Sequence, residues 1–311
     1  MQRIHFFVNF STPLGAGGMQ TAEDQFQFFE GVFFEMLGRD VQVSQYRLLQ
    51  GGSINVTVQV VTNEGKYFIK YNTRNHEGMF ETEAKGLELL READVIRVPE
   101  VMNWGRRDGQ DYLILENIEY TKPNFDYWES LGEKIAALHR HTDEKFGLNF
   151  NNYIGSLRQS NEQKEDWLTF FIEKRINLQA GLAYYNELIS KELYDKFQQF
   201  YKVLPDLLPD EKPSLLHGDL WTGNVITDNE GKPCLIDPAV YYGNREMEIA
   251  FTTLFGGFDK RFYDTYHEAF PLQPRFDQRV PIYNIYPLLV HVNLFGTSYL
   301  PPVIRTLNKY L

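Results

Sequence analysis

The stretch Leu215–Ala239, LLHGDLWTGNVITDNEGKPCLIDPA, decides how this chain is read. His217-Gly218-Asp219 opens a loop, and Asn224 follows five residues after Asp219. Val225-Ile226 reads as a short strand, Asn229-Glu230-Gly231-Lys232 as a turn, and Cys234-Leu235-Ile236 as a second strand ending at Asp237. A hairpin of this kind brings Asn224 and Asp237 to the same end. One carboxylate able to take a proton and two oxygen ligands then border a single cavity. Mg²⁺ favours such hard oxygens, a few from protein and the rest from phosphates and water. HGD-x₄-N followed by a strand-terminal Asp is the layout a phosphoryl-transfer site needs. Each piece also has an ordinary reading. HGD alone is a common polar turn, and Asp237 before Pro238 is a common turn start. The spacing of the three together favours the chemical reading.

The whole chain sets bounds on that reading. Its 311 residues, 43% hydrophobic and 15% aromatic, suffice for one large domain or two lobes. A net charge of −11 argues against a nucleic-acid binder, which needs a basic face. It does not exclude a nucleotide site, where a local lysine, backbone N–H groups and metal suffice. The single cysteine, Cys234, rules out an internal disulfide and fits a reducing cytoplasm. Its apolar neighbours make it a buried, inert thiol. No apolar run reaches the ~18 residues of a membrane span. The N-terminal MQRIHFFVNF lacks a cleavage pattern, so no signal peptide is expected. Gly15–Gly18 form a flexible link, Met19 is a candidate alternative start, and residues 1–20 read as a dispensable extension.

Upstream, Phe26, Phe29, Val32, Phe33 and Leu37 recur near helical spacing within 22–37. Val43–Leu49 reads as a strand leading into Gln50-Gly51-Gly52-Ser53. Ile54, Val56, Val58 and Val60 then alternate with polar residues, the pattern of a half-buried strand. Asn63-Glu64-Gly65 turns the chain into a strand over Lys66–Tyr71. Phe80, Ala84, Leu87 and Leu90 mark a helix over 78–92, and two further strands flank the Arg106–Asp111 turn. Beyond Lys122-Pro123 helical patterns dominate. The expected architecture is α+β in two lobes: a β-rich lobe over 21–118 and a lobe over 119–311 that is helical except for the Asn224–Asp237 hairpin.

Upstream residues extend the chemistry. Gly51, Gly52, Ser53 and Ile54 sit between two strands, where backbone N–H groups can cover phosphates, although hairpin turns use glycine pairs routinely. Lys70 lies in an aromatic and aliphatic strand and wants a partner. Glu83 on the following helix can supply it, with Glu81 as competitor. A strand lysine paired to a helix glutamate holds ATP phosphates in kinase folds. A snorkelling lysine and a solvated glutamate are the plain alternative. The segment Glu116-Asn117-Ile118 ends a strand at the lobe junction, where backbone groups can read an adenine edge.

In this order (glycine-rich loop, strand Lys, helix Glu, hinge, HGD-x₄-N, Asp) the chain resembles the protein-kinase-like fold. HGD and IDP point to its aminoglycoside-phosphotransferase-like branch. GGSIN, RVPEV, DWLTFF, LLHGDLWTGN, IDPAVYYGNREMEIAF, LFGGF and LLVHVNLFG closely resemble the fructosamine kinase (ketosamine-3-kinase) family, from about residue 28 onward. The resemblance implies ATP-dependent phosphorylation of the 3-hydroxyl of a ketosamine, free or on protein. The phosphorylated adduct then breaks down and releases the amine. By motif, Asp219 is the proton acceptor, Asn224 and Asp237 hold Mg²⁺, Lys70 contacts phosphates, Glu83 orients Lys70, and Glu116–Ile118 form the nucleotide hinge. Trp221 either stacks on the sugar or packs in the core. His291 and Asn293 either line the acceptor site or pack a helix. Arg245, Glu246 and Glu248 resemble a family segment that braces the catalytic loop. Some family members carry cysteine where this chain has Ser53, so no redox switch of that loop is expected here.

Two other readings compete. One is a kinase for another hydroxylated amine, aminoglycoside- or choline-like, which an acidic acceptor pocket would favour. The other is a nucleotide-binding pseudokinase, which the presence of Lys70, Asp219, Asn224 and Asp237 opposes. Neither nucleic acid nor membrane is an expected partner.

Overall fold

The structure is a computed structural model that describes residues 22–49, 55–72 and 76–311. The expected phosphate loop Gly51–Ile54 and the 1–20 extension lie outside the described residues.

The chain begins with helix α1 (Ala22–Leu37), followed by strands β1 (Val43–Leu49), β2 (Val56–Thr62) and β3 (Gly65–Asn72). Helix α2 (Met79–Glu92) then leads to β4 (Val101–Arg107) and β5 (Gln110–Glu116). The five strands form one sheet in the order β1-β2-β3-β5-β4, every neighbour antiparallel. The period of two along each strand divides its side chains between two faces. Val58, Val60, Ile69, Tyr71, Tyr112 and Ile114 join Phe28, Phe29, Val32 and Phe33 of α1 in a small core. Leu113 and Leu115 point the other way and join Phe80, Ala84, Leu87 and Leu90 of α2 in the main core. Lys70 follows Ile69 and so takes the α2 face. That parity is why a lysine and a helix glutamate meet. Asp108 and Gly109, with φ of 49° and 78°, close the β4–β5 hairpin in a two-residue turn.

Helices dominate after Glu116. In order they are α3 (Tyr127–Leu138), α4 (Trp167–Phe170), α5 (Asn177–Tyr185), α6 (Lys191–Phe200), α7 (Arg245–Thr252), α8 (Lys260–Ala269), α9 (Phe276–Tyr283), α10 (Ile285–Phe295) and α11 (Leu300–Tyr310). A π-helical turn, Phe171–Ile176, joins α4 to α5. Three short antiparallel pairs interrupt the helices, where the sequence suggested one. They are β6 (Asn152–Ile154) with β7 (Leu157–Gln159), β8 (Ser214–Leu216) with β11 (Tyr241–Gly243), and β9 (Val225–Thr227) with β10 (Pro233–Leu235). Strands of three residues are too short to register a period, and β8–β11 joins segments far apart in sequence. The β8–β11 pairing matters for the site: it holds the two ends of the Leu215–Ala239 stretch side by side. Among the described residues, no helix is long and apolar enough to cross a membrane.

Candidate active site

The loop after β8 is shaped by its backbone. Gly218 has φ +84°, and a Cβ there would lie 2.0 Å from the Ala239 carbonyl oxygen. Only glycine fits this close approach. The Ala239 N–H donates to the His217 carbonyl at 2.9 Å, locking the crossing. The buried His217 ring donates from Nε2 to the Ile236 carbonyl (2.9 Å) and accepts at Nδ1 from the Asp219 N–H (3.3 Å). Burial holds its pKa below the ordinary value, so the ring stays neutral in the tautomer that this loop requires.

Asp219 is enclosed. Asn224 donates from Nδ2 to the Asp219 Oδ2 and to its carbonyl, both at 2.8 Å. Burial pushes the carboxyl up to about 7, the Asn224 hydrogen bond opposes the rise, and the charges of Asp237 and Glu248 add to it. A carboxylate so tuned is a proton acceptor poised near neutrality. Glu248 of α7 carries the loop from beneath. Its Oε1 accepts from the Gly218 N–H (2.6 Å), and its Oε2 from the His217 N–H (3.1 Å) and His139 Nε2 (2.9 Å). Burial would raise this carboxyl, but His139, His217 and the Gly218 N–H together hold it low. His139 Nδ1 meets the Tyr266 hydroxyl at 2.8 Å, and Arg245 donates to that hydroxyl at 3.3 Å. Arg245 also pairs with Glu211 at 2.9 Å, while Glu246 pairs with Arg279 at 2.6 Å. The Arg245–Glu248 segment is thus a brace, as the sequence suggested.

The β9–β10 hairpin brings Asn224 and Asp237 together, with the Ile236 N–H donating to the Asn224 carbonyl at 3.0 Å. Asp237 adopts φ +56°, a left-handed conformation that Asp tolerates better than most residues. Across the cleft, Lys70 Nζ donates to Glu83 Oε1 (2.6 Å) and Asp237 Oδ1 (2.7 Å). Lys70 is 4% exposed. Burial alone would lower its pKa, but the two carboxylates hold it above the ordinary value, so it stays charged. Glu81 turns instead to Lys85 at 2.7 Å, which settles the partner of Lys70 in favour of Glu83.

At the end of β5, Glu116 accepts from Arg97 at 2.7 Å, and Asn117 Oδ1 accepts from Gln59 Nε2 at 2.7 Å. Ile118 is half-buried next to them. Arg97 also reaches Asp228 (3.1 Å) and Asn229 (2.9 Å) in the β9–β10 turn, and its carbonyl accepts from the Leu235 N–H (2.9 Å). It thereby ties the sheet's end to the hairpin that bears Asn224 and Asp237. Cys234, in the same hairpin, is fully buried, and burial pushes its thiol up to about 12.

A pocket opens beside Asp219, walled by Ile154, Tyr241, Met247, Tyr286, Val290 and His291. His291 thus lines the pocket that Asp219 borders. Its Nδ1 donates to the Pro287 carbonyl at 2.7 Å, and burial keeps the ring neutral, leaving Nε2 as an acceptor. Asn293 corrects the sequence expectation: it faces α5, donating to Gln179 Oε1 (2.8 Å) and the Gln179 carbonyl (3.0 Å). Two residues along a helix is a rotation of about 200°, so His291 and Asn293 cannot share a face. Trp221 is not a core residue either. It is 38% exposed and lies over Gly223, outside the pocket wall. Tyr286, His139 and Arg97 were not legible in the sequence as neighbours of this loop. Nothing local distinguishes them from packing residues, and only the tertiary crossings bring them to the loop.

The donor set fits a divalent cation that relies on its substrate. The Asn224 amide nitrogen is committed to Asp219, which leaves its Oδ1 as the side-chain atom able to meet a cation, and Asp237 remains half-exposed. Among the described residues, no group of three or more His, Cys, Asp or Glu could hold a metal by itself.

Residues 26–311 match the family described as fructosamine kinase. A probable ketoamine kinase of Enterococcus faecium is 40% identical over 262 residues, covering 84% of this chain and 93% of that protein. The chloroplastic protein-ribulosamine 3-kinase of Arabidopsis thaliana is 34% identical, covering 88% of this chain and 85% of its own. A crystal structure from Haemophilus somnus, assigned as a fructosamine-3-kinase, superposes with a TM-score of 0.82 at 32% identity, over 91% of this chain and 96% of that one. The aminoglycoside phosphotransferase APH(4)-Ia, crystallised with AMP-PNP and hygromycin B, shares the fold alone, at a TM-score of 0.62 and 16% identity over 89% of this chain and 98% of its own. With a match that runs from the first helix to the last residue, the chain belongs to the fructosamine kinase family, whose members are ATP-dependent phosphotransferases.

Proposed function

We propose that this protein transfers the γ-phosphoryl group of ATP to the 3-hydroxyl of a ketosamine, with Asp219 as the proton acceptor. The observation that carries the reading is a half-buried residue whose desolvated carboxyl is raised to about 7, beside Asn224 and close to the Lys70–Glu83–Asp237 cluster. Asn224 orients Asp219 and turns an oxygen to the cation. Asp237 offers a second oxygen. Asn224 and Asp237 would hold Mg²⁺, which when bound would offset the negative charge that develops on the phosphates. Lys70, held by Glu83, supplies a fixed positive charge for the phosphates, while Gly51–Ile54 would cover them and Glu116–Ile118 receive the base. Asp219 takes the hydroxyl proton as the oxygen attacks, and Glu248 keeps the loop at the height where that proton is within reach. His291 offers its Nε2 to a neighbouring sugar hydroxyl, and Trp221 an exposed indole near the entrance. The product is a phosphorylated adduct that decomposes and frees the amine, a deglycation step. Its single thiol suits work in the reducing cytoplasm, on free or protein-bound adducts.

The test is ATP consumption across fructosamine, ribulosamine and erythrulosamine adducts plus an aminoglycoside, with the phosphorylated position assigned by NMR. Turnover of at least one ketosamine at the 3-hydroxyl is expected. Activity on the aminoglycoside alone would overturn the reading. Turnover of no acceptor alongside intact ATP binding would favour the pseudokinase.

A further inference from the structure

The acceptor pocket has a chemical gap. A ketosamine carries a secondary amine that is protonated at neutral pH, and a buried cation needs a partner. Among the described residues, two carboxylates line the pocket, Asp219 and Glu248. Asp219 is committed to the hydroxyl proton. Both Glu248 oxygens are already occupied, by the Gly218 N–H and by the His217 N–H with His139. The pocket therefore has no spare anion for the ammonium.

An aromatic path leads from the pocket wall to the surface. Phe251 and His291 line the pocket. Phe251 meets Phe255 with ring centroids 5.9 Å apart, and Phe255 lies 4.4 Å from His291. Tyr299 stands 5.1 Å from His291 and 6.4 Å from Phe255. Phe295 closes the group at 5.5 Å from His291 and 6.3 Å from Tyr299, and is 52% exposed. Gly296, with φ +97°, ends α10 here and turns the chain so that Tyr299 comes back over Phe295. A large half-exposed phenylalanine in an aromatic cluster continuous with a substrate pocket is not explained by core packing.

We infer that the rings of Phe255, Phe295 and Tyr299 form a subsite for the amine half of the acceptor, holding its ammonium by cation–π contact and its alkyl arm by apolar contact. This rests on the ketosamine reading above. The sugar then lies at the mouth of the pocket with its 3-hydroxyl at Asp219, and the amine points outward along the rings. That direction suits an adduct on a lysine side chain, whose butyl arm spans the path while the rest stays outside. Neutral His291 does not repel the cation. Specificity at this subsite depends on the π faces and not on a carboxylate, which separates it from sites built for polycations.

The experiment compares two acceptors with the same 3-hydroxyl: the fructose adduct of n-butylamine, and 1-deoxyfructose, which lacks the amine. Phe295→Ala and Tyr299→Leu, checked for unchanged thermal unfolding, are measured against the wild type. Each should lower kcat/KM for the butylamine adduct by about tenfold, mainly through KM, the range of a modestly desolvated cation–π contact. Phe295→Leu, which keeps bulk and loses the ring, should fall in the same direction. The KM for ATP and the turnover of 1-deoxyfructose should stay at wild-type values. An equal loss on both acceptors, or no loss on either, would overturn the subsite while leaving the ketosamine reading standing. A wild type inactive on the butylamine adduct would remove both.

Discussion

Asp219 serves two opposed demands. As the proposed base it must lose its proton, and as a desolvated carboxyl it resists doing so. Its folded-state pKa of about 7 lies above the ordinary carboxylate value, with burial as the main cause. kcat/KM for the acceptor should therefore rise with pH on an acid limb near 7, because the enzyme must ionise Asp219 before it can accept the hydroxyl proton. The stability sign is the reverse. A carboxyl raised in the folded state contributes stability below its unfolded pKa and loses it as pH rises towards about 7. Asp219→Asn should thus unfold at a higher temperature than the wild type at pH 8, the difference shrinking as pH falls to 4. The same variant should bind ATP normally and lose turnover by about 10² or more. Calorimetry and steady-state kinetics read the two effects separately. A variant that turns over a ketosamine at the wild-type rate would remove Asp219 as the base.

At the scale of elements, two connections hold the machinery in register. Helix α7 offers Glu248 to the backbone of the catalytic loop. Glu248→Gln replaces one acceptor oxygen with a donor and leaves one of the loop N–H groups without a partner, at a cost of about 1–3 kcal/mol. We expect a lower kcat with the ATP affinity unchanged, read by kinetics and nucleotide titration. Parallel losses in both would mean that α7 supports the whole cleft and not the loop. The second connection is Arg97, which spans from the end of β5 to the β9–β10 turn through Glu116, Asp228 and Asn229. Its partners belong to the proposed nucleotide hinge and to the β9–β10 turn, so Arg97→Ala should raise KM for ATP more than it lowers kcat. Arg97→Lys should restore only part, since an ammonium cannot fork between separated acceptors. Unchanged ATP kinetics in Arg97→Ala would reduce this contact to surface decoration.

At the scale of the molecule, the charge of −11 attracts cations from a distance. A protonated ketosamine should feel that field and a neutral ketose should not. The Debye length falls from about 30 Å at 0.01 M salt to about 8 Å at 0.15 M. Over that range kcat/KM for an amine-bearing acceptor should decline while that for 1-deoxyfructose stays level. Equal salt dependence for both would place the effect on ATP or on the protein itself.

The sequence alone determined the parts that depend on local order. Alternation of Val56, Val58 and Val60, the period of α1 and α2, and the turn at Asn229–Lys232 are short-range patterns, and they made the strands, their helices and the β9–β10 hairpin readable. The parity of β3 set Lys70 opposite its neighbour Ile69, and helical spacing offered Glu83, so that pair was legible too. The tertiary structure decided what depends on crossings between distant segments. It chose Glu83 over Glu81 by giving Glu81 to Lys85. It turned Asn293 to Gln179 and His291 to the pocket: the two-residue spacing says that they diverge, and only the packing says which way each one faces. It paired β8 with β11, too short and too far apart to be read. It also set the pKa of Asp219, because desolvation is a property of what surrounds a carboxyl in space and not of its neighbours in sequence.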